Sequence, residues 1–155
     1  LPMGAFGASH EIMGNLAPLG GVYQAGTLSG NPLATAAGLT AMQHLTVEAY
    51  DELAAIAARL ADGMQAAFDT AGVAAVVPRI GPLVGLFFSD TAPTDFDSAK
   101  AICDNGVYAK FFHGMLDRGI TLAPGAYEAI FPSLAHTDAE IDETLVAVAE
   151  VAAGL

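Results

Sequence analysis

The sequence has no tryptophan, a single cysteine and only five lysines and arginines in 155 residues. One cysteine cannot form an intramolecular disulfide, so a disulfide-stabilised secreted domain is excluded and a cytoplasmic location is expected. The five bases are scattered and are outnumbered by 17 acidic residues, which gives a net charge of −12. Because phosphate backbones repel such a chain, nucleic acid is not an expected partner.

Long apolar runs and metal-binding motifs are also missing. No run approaches the ~18 residues of a membrane-spanning helix, and the N-terminus lacks the charged segment and apolar core of a secretory signal. We therefore expect no membrane association. The histidines are too far apart for a motif such as H-E-x-x-H, so no metal site is expected. They are His10, His44, His113 and His136.

Apolar residues, by contrast, are abundant. They make up 54% of the chain and charged residues only 14%, against about 25% charged in an average soluble domain. An alanine-rich composition alone would explain this excess; the alternative is that much of the surface packs on another domain or subunit. The opening LPMGAFG would leave Leu1, Met3 and Phe6 exposed at a free terminus. We therefore expect the C-terminal part of a longer chain.

Hydrophobic periodicity predicts an α+β domain preceded by a piece of another unit. Helices are expected at 9–15, 32–45, 47–71, 96–118 with a break near Asn105-Gly106, and from the capping box Thr137-Asp-Ala-Glu140 onward. Short strands are expected at 1–8, 73–77, 83–88, 120–123 and 130–134, the second and third of them antiparallel.

The segment YQAGTLSGNP at 23–32 combines two glycines and two hydroxyls with an Asn-Pro helix start. Backbone amides at the start of a helix bind phosphate well, and the hydroxyl of Thr27 adds a donor. The segment is neither a Walker A loop nor a G-x-G-x-x-G turn. A tight turn whose hydroxyls only cap the helix remains the alternative.

Two further residues carry ionisable groups in apolar surroundings. Glu128, in PGAYEAIF, is either an exposed loop charge or a partly buried carboxylate with a raised pKa that exchanges a proton. Cys103 is interpreted as a small buried hydrophobe, and His113 as a packing residue on a helix. No serine lies in a G-x-S-x-G motif, so hydrolase chemistry is not indicated.

Three stretches resemble the glutamate-1-semialdehyde aminomutases, a family within the class III aminotransferase group of pyridoxal-phosphate enzymes. They are LPMGAFG, LAPLGGVYQAGTLSGNPLATAAG at 16–38 and YAKFFHGMLDRGITLAPGAYEAIFPSLAHTDAEID at 108–142. GTLSGNP is shared by the wider group, whereas AP-x-x-[FY]-E-A followed by SLAHT is more particular to the aminomutases. Gly21, Gly125 and Tyr127 depart from the usual proline, serine and phenylalanine.

The resemblance implies the fold-type I aminotransferase fold. Residues 1–45 would finish the large α/β pyridoxal-phosphate domain and begin the linking helix, and residues 46–155 would form the small C-terminal α+β domain. The implied cofactor is pyridoxal 5′-phosphate, used in its pyridoxamine 5′-phosphate form. The implied reaction is the isomerisation of glutamate-1-semialdehyde to 5-aminolevulinate, in tetrapyrrole (porphyrin) biosynthesis.

The same resemblance assigns roles to particular residues. Gly26 and Thr27 would donate to the cofactor phosphate of the neighbouring subunit of a homodimer, with Tyr23 at the edge of that site. Glu128 would lie near substrate and cofactor and favour the mutase course. The lysine of the Schiff base precedes LPMGAFG in the family, and neither Lys100 nor Lys110 matches it. The chain alone is therefore expected to be inactive.

Two other functions remain open at this stage. Another class III ω-aminotransferase would pass its amino group to a separate keto acid, whereas an aminomutase needs none. A non-catalytic dimerisation module would lack the lysine altogether, so a lysine encoded just upstream of the glycine-rich opening would favour the enzyme.

Overall fold

A computed structural model describes all residues 1–155, in two compact units, Leu1–Thr46 and Val47–Leu155. The elements in chain order are α1 His10–Met13, α2 Pro32–His44, α3 Val47–Ala71, β1 Arg79–Ile80, β2 Leu83–Val84, α4 Phe96–Cys103, α5 Val107–Leu116 and α6 Asp138–Ala152. No helix has the combination of length and hydropathy needed to cross a membrane.

Both helices of the first unit begin with the caps that the sequence predicts. The Oγ of Ser9 accepts the N–H of Ile12 at the start of α1, and Asn31 caps α2 with Pro32 at its first position. The strand expected at 1–8 is wrong, because these residues have no strand beside them to pair with and form no regular structure. The isolated bridge of this unit joins Leu16 and Val22 instead.

Helix α2 has apolar side chains around its whole circumference, and Ala34 is its single buried residue. A helix of this kind is typical of a position between other elements. The exposed large apolar residues of the first unit are Leu1, Met3, Phe6, Ile12, Leu19, Val22, Tyr23, Leu28, Leu33, Leu39, Met42 and Leu45. That this surface packs on further protein stays a prediction.

The second unit is built around α3, α5 and α6. The apolar stripe of α3 faces α6, and α5 packs on α6 beside it. At the centre Phe68, Phe88 and Phe111 form an aromatic cluster, with ring centroids 5.4 to 5.5 Å apart. Met64 and Met115 are almost wholly buried against it. This core fixes the segment between α5 and α6, which carries Glu128.

Glycines end or interrupt the helices of this unit where the sequence predicts. Gly72 follows α3 with φ of 69°, Gly106 separates α4 from α5 with φ of 76°, and Gly119 follows α5 with φ of 79°. The predicted break in the third helical region is thereby confirmed. A positive φ is strained for any residue with a Cβ, which is why glycine occupies these positions.

The sheet is smaller than predicted, although its antiparallel pairing is confirmed. Strands β1 and β2 pair with Arg79 opposite Val84, and a single bridge continues the pairing at Val76 and Phe87. The regular pairing starts inside the expected turn, because Gly81 takes φ of 55° and permits a tighter hairpin. The strand expected at 120–123 is wrong, and that at 130–134 is reduced to one bridge from Ile130 to Val84.

Helices α5 and α6 approach closely at Gly114. A Cβ placed there would lie 2.8 Å from Cγ1 of Val151, a stiff β-branched side chain. We expect Gly114→Ala to lower the free energy of unfolding by about 1 kcal/mol, since overpacking costs about 1–3 kcal/mol and alanine returns about 1 kcal/mol of helix propensity. Urea denaturation measures this change.

The matched control is the same substitution in a Val151→Ala background. With the two Cγ atoms removed only the propensity gain remains, so Gly114→Ala is expected to become neutral or stabilising there. An equal loss of stability in both backgrounds would show that the contact with Val151 is not the cause.

Candidate cofactor-binding loop and carboxylate loop

The loop Gly26–Gly30 leaves several hydrogen-bond donors without a partner in the chain. Its carbonyls are used internally: Gly26 accepts the N–H of Ser29 and Leu28 accepts that of Asn31, each at 3.0 Å. The N–H groups of Gly26 and Thr27 and the hydroxyl of Thr27 make no hydrogen bond, and the loop is exposed. Two amides and a hydroxyl on adjacent residues are suited to a phosphate oxygen.

The first turn of α2 does not add to this set. The Oδ1 of Asn31 accepts the N–H groups of Leu33 and Ala34 at 3.0 and 3.1 Å, and the N–H of Thr35 donates to the Asn31 carbonyl. The amides of Leu33, Ala34 and Thr35 are therefore occupied within the chain, and the free amides belong to the loop. That the loop binds an anion stays a prediction.

A depression of about 430 Å³ lies beside this loop within the first unit, between residues 2–6 and 24–30. Residues 1–46 contain no lysine or arginine. The loop therefore supplies neutral donors and no positive charge, and a dianionic phosphate held here would need its counter-charge from other residues. Tyr23, at the start of the same segment, is 81% exposed.

Glu128 lies in the loop Ala123–Glu128, which we call the carboxylate loop. Its N–H donates to the Gly125 carbonyl at 3.1 Å. Its side chain folds back over Gly125, where an added Cβ would stand 3.4 Å from the Glu128 Cγ. Glu128 is exposed, so of the two interpretations from sequence the structure shows the exposed carboxylate and not the partly buried one.

Both ends of this segment are attached to the core. The Tyr108 hydroxyl donates to the Ala123 carbonyl at 2.6 Å, and Ile130 exchanges both backbone hydrogen bonds with Val84. Burial, and then the charge of Glu128, raise the pKa of Tyr108, so the phenol stays protonated and a donor. From the sequence, Tyr108 is assigned only to an apolar helix face. A tyrosine predicted to be buried needs a hydrogen-bond partner for its hydroxyl, and that requirement was the signal for this contact.

The cysteine, lysine and histidine side chains considered from the sequence show no feature of a catalytic group. Burial raises the pKa of the half-buried Cys103 thiol, which does not favour a nucleophilic thiolate. Lys100 pairs with Asp104 at 2.7 Å, and that hydrogen bond raises the pKa of its amine. His113 is exposed, so its interpretation as a packing residue is wrong, although its ring contacts that of Phe112. Lys110 is also exposed.

The SLAHT motif at 133–137 directly precedes α6, and its Thr137 is the N-cap of that helix. The N–H of Ser133 donates to Nδ1 of His136 at 3.0 Å, and the Ser133 Oγ lies 3.0 Å from the same nitrogen. The N–H of Thr137 donates to Glu140 at 2.8 Å, and its hydroxyl donates to the same carboxylate. These bonds lower the pKa of Glu140, the side-chain bond most. The capping box is confirmed, and the motif shapes the chain between Glu128 and α6.

The sequence model of the family described as aminotransferase class-III matches residues 1–151. The chain belongs to this family. The protein of Psychrobacter arcticus named glutamate-1-semialdehyde 2,1-aminomutase is 53% identical over 97% of the chain, and that of Desulforapulum autotrophicum is 48% identical over 100%. In both cases the match covers 36% of the relative. The chain thus spans about a third of the length of these relatives.

Solved structures of class III enzymes share the fold. An ω-transaminase from Sphaerobacter thermophilus matches 94% of this chain and 34% of its own with a TM-score of 0.82 at 27% identity. A glutamate-1-semialdehyde-aminomutase from Pseudomonas aeruginosa, solved in complex with PMP, matches 82% of this chain and 28% of its own with a TM-score of 0.74 at 25% identity. The fold predicted from the resemblance, the C-terminal part of a fold-type I aminotransferase, is confirmed.

Proposed function

We propose that this chain is the C-terminal part of a glutamate-1-semialdehyde 2,1-aminomutase. The whole protein would convert glutamate-1-semialdehyde to 5-aminolevulinate, for tetrapyrrole synthesis in the cytoplasm. The observation that carries the proposal is the 53% identity to the Psychrobacter arcticus aminomutase across nearly the whole chain. The lysine that binds the cofactor covalently would lie outside these 155 residues, because Lys100 is paired and neither lysine matches the family position.

The donor set of the loop Gly26–Gly30 supports pyridoxal 5′-phosphate, in its pyridoxamine form, as the cofactor. In the proposed homodimer Gly26 and Thr27 donate to the phosphate of the neighbouring subunit's cofactor, with Tyr23 at the edge of that site. The absence of basic residues from the loop fits a site completed by groups from elsewhere in the protein. When bound, the cofactor supplies an amine carrier and an electron sink for carbanion chemistry.

Glu128 is proposed to act near the substrate and cofactor of its own subunit, as the residue that favours the mutase course. An exposed carboxylate on a segment attached at both ends can accept a hydrogen bond from an amine, or take and return its proton, without moving its backbone. Because the Glu128 side chain folds over Gly125, its carboxylate has a restricted range of positions. Its negative charge would favour the ammonium form of a nearby substrate nitrogen.

The deciding experiment supplies the intact protein with glutamate-1-semialdehyde and no keto acid. We expect 5-aminolevulinate to form, at a rate unchanged by added pyruvate, because the amino group stays within one carbon skeleton. A mixture without protein controls for the reactivity of the semialdehyde itself. Consumption of the semialdehyde that depends on pyruvate, and that yields alanine instead of 5-aminolevulinate, would overturn the proposal.

A second candidate is an ω-aminotransferase. The observation in its favour is the TM-score of 0.82 to the Sphaerobacter thermophilus ω-transaminase, against 0.74 to the Pseudomonas aeruginosa aminomutase. Fold similarity does not distinguish two reactions that use one scaffold. Sequence identity of 53% against 27% favours the aminomutase.

A further inference from the structure

The carboxylate loop depends on one side chain at its N-terminal end. Tyr108, on α5, is 8% exposed, and its ring packs in the core of the second unit. Its hydroxyl donates to the Ala123 carbonyl at 2.6 Å. Because the phenol is buried, water cannot easily replace it as the donor to this carbonyl. The hydrogen bond therefore anchors the loop to α5.

The rest of the loop has weaker or more distant attachments. The Sγ of Cys103 lies 3.7 Å from the Ala126 carbonyl, a weak bond. The two bonds between Ile130 and Val84, of 2.8 and 3.1 Å, hold the chain beyond Glu128. Between Ala123 and Ile130 the other backbone hydrogen bond is the turn from Glu128 to Gly125. Without Tyr108 the turn would be firmly fixed at one end only.

We propose that Tyr108 is a positioning residue for Glu128: its hydroxyl holds the start of the carboxylate loop so that the exposed carboxylate keeps one place in the active site. This inference rests on the proposed function, in which Glu128 acts on the substrate. A phenylalanine at 108 fills the same space, so the core remains packed and only the attachment is lost. The influence of the Glu128 charge on the Tyr108 pKa is consistent with their proximity.

A mutant cycle in the intact protein tests this, with Tyr108→Phe, Glu128→Gln and the double variant. Displacing a catalytic group by a fraction of an ångström to one ångström costs about 10- to 100-fold in rate. We expect Tyr108→Phe to lower kcat about tenfold and to change KM little. In the Glu128→Gln background the same substitution is expected to change kcat less than about twofold, because the group that it positions is already gone.

Two further measurements separate positioning from a general structural role. Amide hydrogen exchange of Glu128 is expected to become about tenfold faster in Tyr108→Phe, while exchange in α5 and α6 stays unchanged. Tyr50→Phe removes a phenol from an exposed site on α3 and is expected to leave both kcat and exchange as in the wild type.

Each contrary result has a distinct meaning. An equal loss of rate from Tyr108→Phe in both backgrounds, or no loss in the wild-type background, would overturn the positioning role while leaving that of Glu128 intact. A Glu128→Gln variant as active as the wild type would overturn the role of Glu128 and this inference with it. Wild-type protein that forms no 5-aminolevulinate would count first against the proposed function.

Discussion

Replacing Phe111 with alanine is expected to lower the free energy of unfolding by about 3–5 kcal/mol. Phe111 is fully buried, and its ring contacts those of Phe68 and Phe88 at centroid distances of 5.5 Å. The cost combines the transfer of a buried ring to water with a cavity that its neighbours fill only in part, because Met64 and Met115 are already packed in the same core. Guanidinium denaturation followed by circular dichroism measures the loss.

The matched control for this prediction is Phe131→Ala, since Phe131 is 68% exposed. Its truncation is expected to cost under about 0.5 kcal/mol, as for most surface substitutions. Similar losses for the two variants would show that the aromatic cluster is not the centre of the cooperative core. A large loss for Phe131 alone would show that its side chain is buried in the intact protein.

Helix boundaries and caps in this chain follow from local chemistry. Three of these features depend only on residues close in sequence, so the sequence suffices to predict them. They are the Asn31-Pro32 helix start, the Thr137–Glu140 capping box and the glycine at 106. Strands are different, because a strand exists only beside a partner. Residues 1–8 are apolar enough for a strand but have no neighbour to pair with, and residues 120–123 likewise form no ladder.

In the candidate site, too, local features follow from the sequence, whereas contacts between distant residues do not. A glycine and hydroxyl cluster before a helix predicts an anion site, yet which amides remain free depends on how Asn31 uses its side chain. Glu128 stands out in sequence through its apolar neighbours, whereas its attachment through Tyr108 joins residues 15 positions apart. The particular reaction came from resemblance and not from local chemistry, since fold and donor set alone are common to many aminotransferases.

Replacing Thr27 with valine is expected to weaken the binding of pyridoxamine 5′-phosphate to the intact protein about tenfold or more. A hydrogen bond to a charged group contributes about 1.5–3 kcal/mol, and valine keeps the shape of threonine while removing a hydroxyl that has no partner within the chain. Fluorescence titration of the cofactor-free protein measures the change. Thr40→Val is the control, since its hydroxyl donates to the Ala36 carbonyl within α2.

A second titration identifies the group that Thr27 contacts. Pyridoxamine without its phosphate should bind the wild type and Thr27→Val equally weakly, because the missing bond is to the phosphate. If Thr27→Val loses the same factor for both ligands, the hydroxyl is not a phosphate donor. Unchanged affinity for pyridoxamine 5′-phosphate would overturn the assignment of the loop.

Mixed dimers then decide whether the loop serves its own or the neighbouring subunit. In the proposed homodimer, one subunit carries Thr27→Val and the other Glu128→Gln, on the proposal that Glu128 acts in its own subunit's site. If Thr27 acts across the interface, both defects fall in one site, the other site is intact, and about half the wild-type activity remains. If Thr27 acts within its own subunit, each site carries one defect, and both are impaired at a cofactor concentration that fills wild-type sites but few Thr27→Val sites. Activity near half therefore requires that the phosphate loop of one subunit completes the site of the other.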